Sequence, residues 1–158
     1  MILIASAAAL LLAGSPVNKA ACELGSPLRT TLAELNENLE VFRGRCVTVS
    51  GQTRATALIG GGEAMPDGLP RHRLGVYERE PYSWLMEKDR RSEWQLTGVI
   101  DDCGGISRLA AEEHARAVTR AKAEGWAEPA PPMLGGFCHY HNGPIIWLVS
   151  YRRLRSAG

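Results

Sequence analysis

The stretch CVTVSGQTRATAL, Cys46 to Leu58, decides how the chain folds. Its period is two. Cys46, Thr48 and Ser50 alternate with Val47, Val49 and Gly51, the pattern of a strand whose successive side chains point to opposite faces. A glycine inside such a run marks a bend, so the whole stretch reads as one long strand bent at Gly51.

Upstream, Thr31-Leu-Ala-Glu34 fits a capping box, and Leu32, Leu35 and Leu39 follow at helical spacing. Residues 31–41 therefore read as a short amphipathic helix, closed by Gly44. Downstream, IGGGEAMPDGLP reads as a flexible loop. RHRLGVYE follows as a second strand, with His72, Leu74 and Val76 on one face. Pro81 suits the first turn of a helix, which predicts a short one over 81–91. EWQLTGVID then alternates Trp94, Leu96, Gly98 and Ile100 against polar residues and Val99, and reads as strand three. DDCGG reads as a strand end and a turn. An Ala-rich helix over 107–124 follows, acidic early at Glu112 and Glu113, basic late at Arg116, Arg120 and Lys122, and stopped by Gly125. Its apolar stripe is thin. After the proline-rich connection EPAPPMLGG come FCHYH, read as strand four, and PIIWLVSYRRL, which is apolar on both faces and so expected to be covered on both.

The order, helix then three strands then helix then two strands, resembles the OB-fold, a five-stranded Greek-key barrel with its helix between strands three and four. VFRGRCVTVSG, RLGVYE, WQLTGVI and PIIWLV are similar to pieces of small exported bacterial OB-fold-like proteins of unassigned role. The expected class is α+β: an OB-fold-like barrel with an additional N-terminal helix. An open α+β sheet with helices on one side is the alternative. In OB-folds the loop after strand one and the loop between strands four and five flank the usual binding groove. The resemblance thus implies that HNG at 141–143 lies near IGGGEAMPDGLP, with Arg71, Arg73, Tyr77 and Trp94 lining the face between them and His139 and His141 beside it.

MILIASAAALLLA, residues 1–13, has the length of a secretory leader and is followed by small residues. It is too short to cross a core of about 30 Å as a helix. The chain then divides into a cleaved signal peptide over 1–20 and a single domain over 21–158, periplasmic or secreted, with no permanent membrane anchor. Lipidation of Cys22 is argued against by Lys19, which stands where such signals carry an apolar residue. Without Lys19 the remaining basic and acidic residues balance at 17 each, which argues against nucleic acid as a partner. An envelope protein, peptide or glycan fits better. Cys22, Cys46, Cys103 and Cys138 all follow the leader, and an even count in an oxidising compartment reads as two disulfides. Of the three pairings, Cys22 with Cys46 and Cys103 with Cys138 each tie a segment holding a helix back onto a strand.

FCHYHNGP, residues 137–144, is the chain's densest group of chemically capable side chains. On a strand, His139 and His141 share one face while Cys138 and Tyr140 share the other. The simplest reading is an oxidised Cys138 with its histidines turned to solvent. A second is a copper or zinc site at His139 and His141, completed by His72 or Asp101. A third, a Cys138 nucleophile in a hydrolase, needs a base from another segment, because adjacent strand residues point apart. Three minor candidates have simpler explanations. Gly60 to Gly62 lack the ending of a P-loop, Asp101 and Asp102 mark a strand end more simply than an acid–base or cation site, and Arg152, Arg153 and Arg155 read as a solvated edge. The reading that the residues support is a non-enzymatic binding module of the envelope.

Overall fold

The two faces of CVTVSG acquire their partners in the computed structural model, which describes residues 22, 25–54, 57–61, 63–66, 68, 70–78, 92–132, 138 and 143–155. The elements are β1 (Leu28–Arg29), α1 (Leu32–Glu37), α2 (Leu39–Phe42), β2 (Cys46–Arg54), β3 (Ala57–Ile59), β4 (Arg73–Tyr77), β5 (Glu93–Asp101), α3 (Cys103–Glu124) and β6 (Ile145–Arg155). β2 pairs antiparallel with β3, β3 with β4, β6 with β5 and β5 with β2, while β4 and β6 run parallel. The order β2-β3-β4-β6-β5 thus returns to β2 and closes a five-stranded mixed barrel, to which β1 adds a short parallel pairing. The fold is α+β and OB-fold-like, with two short N-terminal helices where one was expected.

Alternation sorts the hydrophobic residues into two layers. Val47, Val49, Leu58, Leu74, Val76, Trp94, Leu96, Ile100, Ile146 and Leu148 point into the barrel, where Leu32 and Leu35 of α1 join them. The other face of β6 carries Ile145 and Trp147, which pack outside the barrel with Val99, Ile106, Ala110 and Cys22. α3 covers this outer layer, so the last strand is covered on both faces, as its composition predicts. Tyr77 meets the edge of Trp147, with ring centroids 4.9 Å apart. The two disulfides, Cys22–Cys46 and Cys103–Cys138, belong to this outer layer and contain all four cysteines. Among the described residues, no helix is long and apolar enough to cross a membrane.

Several elements differ from the sequence expectation. CVTVSGQTRATAL is a hairpin and not one bent strand: Gln52, Thr53 and Arg54 pair with Ile59, Leu58 and Ala57. Gly51 is still the critical position, because a Cβ there would lie 2.6 Å from the Ile59 carbonyl oxygen and 2.9 Å from Leu32 Cδ1. With the extra strand counted, the long helix that follows EWQLTGVID joins the fourth and fifth barrel strands. It begins at Cys103 instead of Ser107, because the Asp102 carboxylate accepts from Gly105 N at 2.7 Å and caps it there. The N-terminal helix divides at Asn38, whose backbone leaves the helical region at φ −134° and ψ 43°. IGGGEAMPDGLP, expected as a loop, continues the β3–β4 hairpin: Gly60 N donates to His72 O, Arg71 N donates to Glu63 O, and Ala64 bridges Pro70. Cys138, the one described residue of FCHYH, is helical and not extended. The signal peptide, the helix over 81–91 and residues 139–142 lie outside the described residues.

Candidate functional site

The parallel pairing of β4 and β6 gives the barrel a distinct end. Gly75 lies opposite Ile145, and its amide donates to the Pro144 carbonyl at 3.0 Å. The chain arriving from residues 139–142 therefore enters the sheet close to the chain arriving from His72. β5 ends at this same place, since Asp101 pairs with Ile145. Two loop entries, one strand exit and the N-terminus of α3 converge here.

An arginine secures the convergence. Arg43 follows α2, and its Nη1 donates to Asp101 Oδ1 and Asp102 Oδ2, both at 2.7 Å. Its Nη2 and Nε donate to the Glu40 carboxylate at 2.6 and 3.1 Å. The Asp101 side chain is only 7% exposed and also accepts from Asp102 N at 2.8 Å. Its carboxylate occupies the space that a Cβ on Gly105 would need, so the glycine after the helix start lets the buried acid fit. Hydrogen bonding to Glu40 and Asp102 raises the Arg43 pKa above its usual value. Arg43, then the Gly105 amide, hold Asp102 below the ordinary carboxylate value, and Arg43 does the same for Glu40. Asp101 and Asp102, weighed above as an acid–base or cation pair, both accept from Arg43 and serve to fix the strand–helix junction.

Beside this junction a depression of about 360 Å³ is lined by Leu39, Asp102, Cys103, Gly104, Arg108 and Gly143. Cys103, which is bonded to Cys138, forms part of its wall, and the exposed Arg108 also lines it. A second depression, of about 450 Å³, lies at the β2–β3 hairpin between Gly51, Gln52, Ile59, Gly60, Gly61 and Glu93. Glycine backbones supply much of its lining.

Of the predicted groove residues, the four that are described, Arg71, Arg73, Tyr77 and Trp94, line neither depression. Arg71 and Arg73 stand at the base of the β3–β4 extension, Arg71 exposed and Arg73 half-buried. Tyr77 faces outward but packs against Trp147 in the layer beneath α3. Trp94 is 2% exposed and lies inside the barrel, because it shares the inward parity of Leu96 and Ile100; the Arg153 guanidinium covers its ring at 4.9 Å. His139 and His141 lie outside the described residues. Of their suggested third ligands, Asp101 is bound to Arg43, and His72 Nε2 is 3.9 Å from Glu37 Oε1. Among the described residues no three His, Cys, Asp or Glu side chains are grouped to hold a metal ion. The Cys138 sulfur is bonded to Cys103, which removes it as a nucleophile. As site residues, Leu39, Gly104 and Arg108 were not singled out from the sequence, since only the tertiary fold brings α2, α3 and Gly143 together.

Comparison with protein-family models, with curated proteins and with solved structures finds no match to this chain.

Proposed function

We propose that this chain is an exported, disulfide-stapled, non-enzymatic binding module of the cell envelope, holding an envelope protein, peptide or glycan at the loop end of its barrel. The observation that carries the reading is the depression between Leu39, Asp102, Gly104, Arg108 and Gly143, set where both loops enter the sheet. The barrel interior offers no alternative, for Leu58, Leu74, Leu96, Ile100 and Ile146 are wholly buried and fill it. A ligand must then sit outside, on a rim that presents a guanidinium, an aliphatic side chain and accessible backbone. Two disulfides belong to the chemistry of oxidising compartments and agree with export. With its sulfur in a disulfide, Cys22 has no thiol to accept lipid, so retention in the envelope would depend on a partner.

A photo-crosslinking residue at Arg108, compared with one at Arg116 on the same helix, tests the reading in intact cells. The expected outcome is a discrete envelope adduct from position 108 and none from 116. Equal labelling from both positions, or none from either, would reject the loop end as the binding surface.

A further inference from the structure

The two disulfides differ in what surrounds them. Cys22 is 5% exposed and sealed into the layer beneath α3, while its partner Cys46 is half-buried. Neither residue of the other bond is sealed: Cys103 and Cys138 are both half-buried, and Cys103 lines the open depression at the loop end. A disulfide opens when a thiolate reaches one of its sulfurs, and it opens faster when the departing sulfur carries negative charge easily. Access and charge therefore decide which bond reacts.

Charge favours Cys103. It is the first residue of α3, a helix of 22 residues with no acid in its first turn. Aligned peptide dipoles at a helix start stabilise an anion, and a cysteine placed there holds a thiolate readily. Gly104 and Gly105 follow it, so the next two residues bring no side chain over the sulfur. Arg108 adds a cation, for a Cβ built on Gly104 would lie 3.8 Å from its Nη1. The charge that opposes a thiolate here is the Asp102 carboxylate. It is already engaged by Arg43 Nη1 and Gly105 N, each at 2.7 Å, which offsets its field.

We infer that Cys103–Cys138 is an exchangeable disulfide that accepts electrons from a dithiol, whereas Cys22–Cys46 is a permanent staple. A thiolate of the dithiol attacks Cys138 Sγ and forms a mixed disulfide with it, and the electron pair of the broken S–S bond leaves on Cys103 Sγ. The second thiol of the dithiol, having lost its proton, then attacks the mixed disulfide and displaces Cys138. Two electrons reach the cysteine pair. Cys138 takes up one proton, the other passes to solvent while Cys103 remains a thiolate, and the dithiol departs as its own disulfide. This chemistry goes beyond the binding role proposed above and needs no ligand held in the depression.

The test uses the full oxidised chain at neutral pH without denaturant or any envelope partner. Limiting dithiothreitol is added, samples are trapped with N-ethylmaleimide over time, and peptide masses report which bond has opened. Cys103–Cys138 is expected to open at least about tenfold faster than Cys22–Cys46. With reduced glutathione as the probe, the glutathione adduct is expected on Cys138 and the maleimide on Cys103. Arg108→Ala is expected to lower the ratio of the two opening rates about threefold, and Arg108→Lys, which keeps the charge, less than about twofold. Cys22–Cys46 serves as the internal reference, so a general loosening of the fold does not imitate the result. Equal opening of both bonds, glutathione on Cys103, or a ratio unaltered by Arg108→Ala overturns the inference.

Discussion

Arg43 is the residue on which the loop end depends, because it meets three carboxylates contributed by two parts of the chain. Removing one partner from a buried ion pair costs more than the pair contributes, since the remaining charge stays desolvated. Arg43→Met is accordingly expected to destabilise the fold by roughly 2–4 kcal/mol in urea at neutral pH, with Asp101 the acid left without its cation. The pH dependence has a definite sign. Asp102 is held below its ordinary 3.8 chiefly by Arg43, so its contribution is complete above that value and disappears as pH falls through the lower, folded-state value. The gap between parent and variant is therefore widest near neutrality and closes on acidification. A gap that stays constant into strong acid would mean that Arg43 acts by packing alone.

At the level of elements, local chemistry accounts for the helix starts. The Thr31 hydroxyl accepts from Glu34 N at 3.2 Å while the Glu34 carboxylate accepts from Thr31 N at 2.9 Å, and the Thr31 amide, then the Thr30 and Thr31 hydroxyls, donating to that carboxylate, hold the Glu34 pKa below its usual value. Thr31→Ala should cost about 1 kcal/mol in thermal or chemical unfolding. No measurable change would show that packing of Leu32 and Leu35 alone positions α1. This capping box was legible in the sequence, as were the inward parity of Trp94, Leu96 and Ile100 and the two apolar faces of β6. What stayed hidden has identifiable causes. QTRATA contains no Gly, Asn or Asp to announce a turn, so the β2–β3 hairpin looked like continuous strand. DDCGG looked like a loop because two glycines are poor helix formers, whereas Gly105 is there to admit the Asp101 carboxylate. Arg43 and Asp101 are 58 residues apart, and no spacing rule joins them. Trp94 was assigned both to the alternating core face and to a ligand surface, and its burial decides for the core.

For the whole molecule, the barrel interior and the layer beneath α3 are separate hydrophobic units, and both disulfides lie in the outer one. α3 buries only Gly105, Ile106, Ala110 and Ala121 among its 22 residues, a small apolar contribution for so long an element. Covalent attachment compensates: Cys103–Cys138 holds the start of α3 to the segment entering β6, and Cys22–Cys46 holds the N-terminal segment to β2. Loops of 24 and 35 residues correspond to about 3 to 4 kcal/mol each in chain-entropy terms. The seating of α3 and the wall of the loop-end depression rest on these two bonds, and the proposed export agrees with them. The most direct test is a mass-spectrometric disulfide map of the unreduced native protein. The account predicts peptides linking Cys22 with Cys46 and Cys103 with Cys138, with no alkylatable thiol. A reduced Cys138, or a cross-link between Cys22 or Cys46 and either of the other two, would contradict it.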